Sequence, residues 1–114
     1  MLYSGVTFIS GANNDGLAKT IGDQFSGAQS IQSKDQFTPG EILVIIGGHQ
    51  CKEKDLKKIY GEASAFVLVL EGKPQEAYID GSLRVITVNN IYREGFNAIT
   101  KELSMTFNKG LNMA

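Results

Sequence analysis

The sequence predicts a small α/β domain of three layers, built on a mostly parallel sheet of four or five strands. Two observations favour this fold class. Short apolar runs rich in β-branched residues recur along the chain, and uninterrupted apolarity is typical of strands that are covered on both faces. Segments with helical spacing of apolar residues lie between these runs, and strands that alternate with helices form parallel sheets through right-handed crossovers.

The predicted strands are the apolar runs, each of which ends near Gly or Asn. They are Val6 to Ile9, Ile42 to Ile46, Ala65 to Leu70 and Leu83 to Val88. A further segment, Ala28 to Gln32, alternates polar and apolar residues, which is the pattern of an edge strand. The sheet therefore has four or five strands, depending on this edge segment.

Three segments between and after the strands have helical periodicity. In the first, Leu17, Ile21 and Phe25 recur at a spacing of four residues, which places them on one face of a helix. Residues that favour the N-cap position precede them, and these are Asn13, Asn14 and Asp15. The apolar face of the second helix consists of Leu56, Ile59, Tyr60 and Ala63. The last helix carries a longer apolar stripe, made of Tyr92, Phe96, Ile99, Leu103 and Phe107.

The ends of the last helix and two connections are also marked in the sequence. Asn89 or Asn90 is a cap for the start of the helix, and Gly110 is a residue that can end it. Two connections are too polar or too short for complete helices, namely Ser33 to Gly40 and Gly72 to Ser82. In the second of these we expect one helical turn, around Gln75 to Ile79.

The composition describes a single domain that spans residues 1–114. Lys plus Arg number 11 and Asp plus Glu number 12, so the chain lacks the basic field that nucleic-acid binding requires. The longest apolar run is far too short to cross a membrane. With one cysteine and one histidine, the chain cannot build a usual structural zinc site or an internal disulfide. We therefore expect a reducing compartment, the cytoplasm.

The carboxyl ends of the predicted strands are rich in Gly and small polar residues. Ligands bind at this edge in open α/β sheets, and main-chain N–H groups beside Gly can hold an anion. The candidate ligand-binding residues are Ser10, Gly11, Asn13, Asn14, Asp15, Gly16, Gly47, Gly48 and His49. Gly and Asn also occur in strand-to-helix turns for their dihedral angles alone, so both interpretations stay open.

Two titratable residues follow the Gly47-Gly48 pair. His49 can act as a general base or polarise a bound ligand. Cys51 lies near the start of the second predicted helix, where the helix N-terminus would lower the pKa of its thiol. Neither residue has a partner that the sequence identifies. We therefore assign no catalytic residue, and the sequence leans against an enzyme without excluding one.

The first loop departs from the usual phosphate-binding motifs. Gly11 and Gly16 have the four-residue gap of a P-loop, but Leu17 and Ala18 separate the second glycine from Lys19. This insertion turns the lysine away from the expected phosphate position. The loop therefore identifies no cofactor.

The stretch Val6 to Phe25, VTFISGANNDGLAKTIGDQF, resembles the first strand, turn and helix of short-chain dehydrogenases, which begin with a Thr-Gly-Ala-like turn. Glu41 to Gly48 is similar to that family's later strand ending in Asn-Asn-Ala-Gly. The resemblance implies a Rossmann-like fold. No Tyr-x-x-x-Lys motif follows, because Tyr60, Tyr78 and Tyr92 lead to Ser64, Ser82 and Phe96. No catalytic role is carried over.

The strand rhythm and final amphipathic helix resemble a response-regulator receiver domain. Glu76 to Ser82, then Leu83 to Val88, then Ile91 to Leu103 are similar to the final helix, strand and helix of a receiver. Thr38 to Glu41 is similar to the entry of its central strand. The resemblance implies a flavodoxin-like fold.

The residues that carry phosphotransfer in receivers are missing from this chain. That family places an acidic pair, an aspartate, a Ser or Thr and a Lys at successive strand ends. Here those places hold Ser10-Gly11, Gly47-Gly48, Glu71-Gly72 and Asn89-Asn90. Without clustered carboxylates there is no Mg²⁺ site. The resemblance therefore implies a pseudo-receiver that binds a partner.

Two functions stay open at this point. The first is a non-catalytic regulatory or protein-interaction module, whose C-terminal helix and tail contact a protein partner or a second copy in a homodimer. The alternative is a small nucleotide- or phosphometabolite-binding protein, an enzyme or not. It would hold a small anionic ligand with the Gly-rich loops.

Overall fold

The computed structural model describes residues 2–11, 16–73 and 75–113, with side chains up to residue 106. These residues contain one sheet of six strands. The strands are β1 (Val6–Ser10), β2 (Gln29–Ser30), β3 (Ile42–Ile46), β4 (Ala65–Glu71), β5 (Tyr78–Asp80) and β6 (Leu83–Val88). Their order is β2-β1-β3-β4-β6-β5. All neighbouring pairs are parallel except β5 and β6. The prediction of an α/β domain with a mostly parallel sheet is confirmed.

The described helices are α1 (Leu17–Gly22), α2 (Glu53–Tyr60), α3 (Ile91–Met113) and a short 3-10 helix (Lys34–Gln36). The 3-10 helix lies in a connection that was predicted to be too polar for a complete helix. In the described ranges, no helix combines the length and the apolar character that a membrane span needs.

Both faces of the sheet are buried, which explains why the strand sequences are apolar without alternation. α1 and α3 cover one face, where the buried strand residues are Val6, Phe8, Ile42, Val44, Ile46, Val67, Val69, Ile86 and Val88. Leu56 of α2 and Phe37 cover the other face, where the buried strand residues are Ile9, Leu43, Ile45, Phe66, Leu68, Leu83 and Val85. The two faces of the sheet are therefore covered by different elements.

α1 is shorter than the predicted helix, which extended to Phe25. The chain leaves α1 in a 3-10-type turn, in which the Phe25 N–H donates to the carbonyl of Gly22 at 2.9 Å. Phe25 is still only 2% exposed. Its ring contacts those of Tyr3, Phe8 and Phe96 at centroid distances of 5.0, 5.0 and 4.9 Å. Phe25 is therefore buried as predicted, although α1 ends at Gly22, before it reaches this residue.

The predicted apolar stripes of α2 and α3 contain two errors. Ile59 is 50% exposed and Tyr92 is 61% exposed, whereas Ile91 is buried at the start of α3. α3 also continues through Gly110 to its end at Met113, so Gly110 does not end the helix. The side chain of Phe107 lies outside the described residues. A spacing of three or four residues fits two adjacent faces of a short helix, and tertiary packing selects between them.

The segment that was predicted to hold a helical turn, Gln75 to Ile79, instead contributes to β5. β5 pairs with β6 across the two-residue turn Gly81-Ser82. Gly81 has φ +60°, which suits the first central position of a type II′ turn. The sheet therefore has six strands rather than four or five. β5 was not predicted from apolar residues, because it is an exposed edge strand of three residues. Such a strand buries too little surface to need an apolar sequence.

α2 lies at the amino edge of the sheet. The Glu53 N–H at its start donates to the carboxylate of Asp80 at 2.9 Å, beside the turn that precedes β6. Just beyond its end, the carbonyl of Glu62 accepts from the Gly40 N–H at 3.0 Å, before β3 begins. Residues 47–52 therefore run back from the carboxyl edge, and no helix begins where β3 ends.

Candidate functional site

Two of the predicted loops meet at the carboxyl ends of β1 and β3. The register pairs Ser10 with Ile46, so Gly11 and Gly47 follow at neighbouring positions. The Gly11 N–H donates to the carbonyl of Ile46 at 2.9 Å, and the Gly47 N–H donates to the carbonyl of Val69 at 2.8 Å. These glycines therefore extend the ladder of the sheet by one residue.

Gly11 and Gly48 are packed directly against main chain. A Cβ atom on Gly11 would lie 2.4 Å from the carbonyl oxygen of Gly47 and 2.7 Å from Cγ2 of Ile45. A Cβ on Gly48, whose φ is +99°, would lie 3.0 Å from the carbonyl oxygen of Gly11. Both positions need glycine for close packing. The space between the ends of β1 and β3 is therefore filled by backbone.

Gly47 differs from these two glycines. Its φ is +87°, but a Cβ atom built on it would meet nothing within 4 Å. Glycine is needed here for its backbone conformation rather than for space. The surface above Gly47 is therefore the open part of the predicted site.

The other residues of the first loop are only partly described. The Ser10 hydroxyl accepts a hydrogen bond from the Ala18 N–H at 3.1 Å, so it satisfies a main-chain donor at the start of α1. Gly16 is the exposed N-cap residue of α1 and provides no side-chain cap. The predicted caps and ligand-binding residues Asn13, Asn14 and Asp15 lie outside the described residues.

His49 and Cys51 both precede α2, and Cys51 lies next to its N-cap residue, Lys52, as predicted. His49 is exposed and belongs to the segment that runs back towards the amino edge. Burial of Cys51 raises the pKa of its thiol, and the Asp55 carboxylate raises it further. The expectation of a lowered thiol pKa was wrong, because Cys51 is partly buried and lies close to the Asp55 carboxylate.

The chain's own side chains fill the N-terminus of α3. The carboxylate of Glu71, at the end of β4, accepts from the Ile91 N–H at 3.0 Å. Glu94 accepts from the Asn90 N–H at 2.7 Å, and Asn90 in turn accepts from the Arg93 N–H at 3.1 Å. The prediction that Asn90 caps this helix is confirmed. An anion at this helix end would have to displace two carboxylates.

The N-terminus of α2 is held to the β5–β6 turn by three residues, Glu53, Asp80 and Ser82, which we call the Glu53 clasp. Asp80 accepts from the Glu53 N–H. Glu53 accepts from both the hydroxyl and the N–H of Ser82. The hydrogen bond from the Ser82 hydroxyl lowers the pKa of Glu53 most, and the bond from the Ser82 N–H lowers it further. The nearby Lys57 adds to the effect.

Acidification is expected to weaken the Glu53 clasp. A carboxyl whose folded pKa is below its unfolded pKa contributes stability above the unfolded value, and that stability is lost as the pH falls through the folded value. Urea unfolding between about pH 5 and about pH 3 should therefore show a smaller loss of stability in Glu53→Gln than in the wild type. Glu62→Gln, which changes an exposed carboxylate, should follow the wild type. Equal slopes for Glu53→Gln and the wild type would contradict this assignment.

A surface groove lies apart from the predicted site, beside the edge strand β2. It has a volume of about 290 Å³ and is lined by Lys19, Ser30, Ile31, Gln32 and Gln36. No local pattern in the sequence indicates this groove, because its lining residues come from three separate segments of the chain. Elsewhere in the described ranges, no group of three or more His, Cys, Asp or Glu side chains is placed to hold a metal ion.

The fold and this edge define an α/β domain in which Gly11 and Gly48 pack main chain against main chain where the strand order switches, between β1 and β3. Comparison of the chain with protein-family models, with curated proteins and with solved structures gave no significant match.

Proposed function

We propose that this chain is a non-catalytic regulatory or protein-interaction module with a pseudo-receiver-like fold. The observation that carries the proposal is the close packing of main chain just beyond the ends of β1 and β3. In doubly wound sheets this switch point is where ligands bind. Here a Cβ on Gly11 would already lie 2.4 Å from the Gly47 carbonyl oxygen, so no ligand atom fits between Gly11 and Gly47.

The strand order supports the flavodoxin-like part of this proposal. The five mutually parallel strands lie in the order β2-β1-β3-β4-β6, which corresponds to the 2-1-3-4-5 order of flavodoxin-like domains. α1 and α3 share one face. Features that differ from a receiver include the antiparallel β5, which replaces a helix, and the position of α2 at the amino edge.

The chemistry at the strand ends supports a non-catalytic module. The positions that hold carboxylates in receivers are Ser10-Gly11 and Gly47-Gly48 here. In the part of the chain that the structure describes, the carboxylates of Glu71 and Glu94 stand at this edge and accept from the N–H groups of Ile91 and Asn90. Both are committed to capping α3 and are poorly placed to act as a free metal ligand or base.

The exposed apolar side chains of α3 support a partner on this helix. Tyr92 is 61% exposed and Met105 is 37% exposed. We propose that α3 and the tail contact a second copy of the chain or another protein. The free thiol of Cys51 suits a reducing compartment, and we place the module in the cytoplasm.

The alternative function, binding of a nucleotide or phosphometabolite at the Gly-rich loops, is favoured by one observation. The space above Gly47 is open, since a Cβ there would meet nothing within 4 Å. A small anion could reach main-chain N–H groups at that point. This alternative would use the outer surface of the edge rather than the crevice.

Sedimentation velocity tests the proposed interaction surface. We expect the full chain to form a dimer, and we expect Met105→Glu or truncation after Asn108 to give a monomer, because both changes remove apolar contact area from α3. Leu2→Glu is the matched control, since Leu2 is 70% exposed and lies outside α3. Dimers of unchanged stability in Met105→Glu and in the truncated chain would contradict the proposed interface, as would a monomeric wild type that captures no protein through α3.

Thermal unfolding in the presence of ATP, GTP, NAD, NADP and FMN, each with and without Mg²⁺, separates the two functions. A specific ligand at about one hundred times its Kd would stabilise the fold by about 2.7 kcal/mol. We expect any shift of the melting temperature to be the same in Gly47→Ala as in the wild type. A selective shift that Gly47→Ala abolishes would replace the interaction module by the alternative.

A further inference from the structure

We propose that the surface groove beside β2 binds a small phosphate monoester. This proposal does not rest on the interaction module, because the groove lies at the opposite side of β1 from the crevice and does not include α3. We call it the β2 groove, and its lining is Lys19, Ser30, Ile31, Gln32 and Gln36.

The β2 groove has an ordered apolar floor. Ile31 is only 4% exposed, and its N–H donates to the carbonyl of Phe8 at 2.9 Å. This hydrogen bond attaches the end of β2 to the central strand β1. Ile31 is therefore part of the hydrophobic core, and the polar side chains of the groove surround a fixed residue.

Gln36 is the most firmly positioned polar side chain of the groove. Its Oε1 accepts from the N–H groups of Gln32 and Ser33 at 2.9 and 3.1 Å. Because both are donors, the oxygen of the amide is identified without ambiguity. Its Nε2 group donates in no hydrogen bond within the described part of the chain. Two N–H donors are thus held in the groove wall and remain for a ligand.

Lys19 and Ser30 add a charge and a hydroxyl. Lys19 forms an ion pair with Asp23 at 3.3 Å, but the two side chains are 71% and 60% exposed, so the pair is weak and exchangeable. The Ser30 hydroxyl lies 3.5 Å from the carbonyl of Ala18, at the limit of a hydrogen bond. Both groups can turn towards a ligand at little cost.

This set of donors fits a phosphate monoester better than a carboxylate. The groove is lined by one cation, one hydroxyl and two amide side chains, and by no carboxylate. These donors approach from α1, β2 and the 3-10 helix, which suits the three terminal oxygens of a phosphate rather than the two of a carboxylate. The volume of about 290 Å³ is near the lower end of the usual range for ligand pockets, so the ligand is small.

Chemical-shift titration with inorganic phosphate and with glycerol 3-phosphate tests this site residue by residue. We expect saturable shifts at the amides of residues 19 and 30–36 for both probes. Acetate, which supplies the carboxylate alternative, should give no saturable shift there. Equal or tighter binding of acetate would overturn the assignment of a phosphate ligand.

Gln36→Glu is the decisive variant. A glutamate retains an oxygen that accepts from the Gln32 and Ser33 N–H groups, so the capping box remains, but it replaces the two donors by a negative charge. We expect about tenfold or greater weakening of phosphate binding, with no loss of thermal stability. Gln50→Glu makes the same charge change at an exposed residue outside the groove and should leave the Kd unchanged.

The ion pair between Lys19 and Asp23 provides a second test, in which the two variants should change phosphate binding in opposite directions. Lys19→Gln should weaken phosphate binding, and Asp23→Asn should strengthen it, because the lysine then loses its competing partner. The proposal is overturned if the titration does not saturate, or if Gln36→Glu and Gln50→Glu weaken binding equally, which would indicate general attraction to positive charge. Neither result would change the sedimentation behaviour on which the proposed interaction module depends.

Discussion

Replacement of Arg84 by methionine is expected to lower the free energy of unfolding by about 3 kcal/mol, towards the lower end of the effect of breaking a buried ion pair. Arg84 Nε lies 2.9 Å from Glu102 Oε2, and the two side chains are 22% and 7% exposed. The pair joins β6 to α3. Loss of the arginine removes a cation from beside a carboxylate that is only 7% exposed, and the desolvation cost that the cation no longer offsets is the source of the effect.

A double-mutant cycle distinguishes the ion pair from simple loss of packing. We expect Arg84→Met combined with Glu102→Leu to recover most of the stability lost in Arg84→Met, because no charge then remains buried. Urea unfolding of the four proteins measures the coupling. Additive losses in the double variant would mean that the charges do not interact and that Arg84 acts through its aliphatic stem.

Gly11→Ala is expected to destabilise the protein by about 2–3 kcal/mol, in the upper part of the usual range for overpacking. The new methyl group would lie 2.4 Å from a main-chain oxygen, that of Gly47, and 2.7 Å from Ile45. A backbone atom cannot move aside as a flexible side chain does. The ends of β1 and β3 would have to separate, and thermal unfolding should register a clear decrease in melting temperature.

Gly16→Ala is the matched control at the other end of the same loop. Gly16 has φ −89° and ψ −11°, which alanine adopts freely, and a Cβ there meets nothing within 4 Å. We expect its stability to change by less than about 1 kcal/mol. If Gly11→Ala were equally mild, the crevice between β1 and β3 would be loose enough to open, and the main support for a non-catalytic module would be lost.

The central strands were predicted well because burial on both faces requires an uninterrupted run of apolar residues. Ile42–Ile46 is fully buried, and a strand in that position can hardly contain a polar residue. The cap at Asn90 was also predictable, since an N-cap side chain reaches a donor only three residues away. These signals depend on neighbours within one or two helical turns or along one strand.

The candidate site was predictable only in part. The register of β1 and β3 does bring Gly11 and Gly47 together, as parallel strands must. The sequence contained no sign that these glycines would pack against each other. It also contained one short-range signal that the apolar pattern overlooked, the Gly81-Ser82 pair between Ile79 and Leu83, which is typical of a two-residue hairpin turn.

By itself, then, the sequence determined the central parallel strands, the covered faces of the sheet and the start of α3, because hydrophobic periodicity and capping act over short distances. The tertiary structure alone decided which groups fill the helix ends and where a ligand has room. Asp80 reaches the Glu53 N–H across 27 positions and Glu71 reaches the Ile91 N–H across 20. Lys19 and Gln36 likewise meet at one groove. Such pairings follow from strand order and register, which no local pattern of residues specifies.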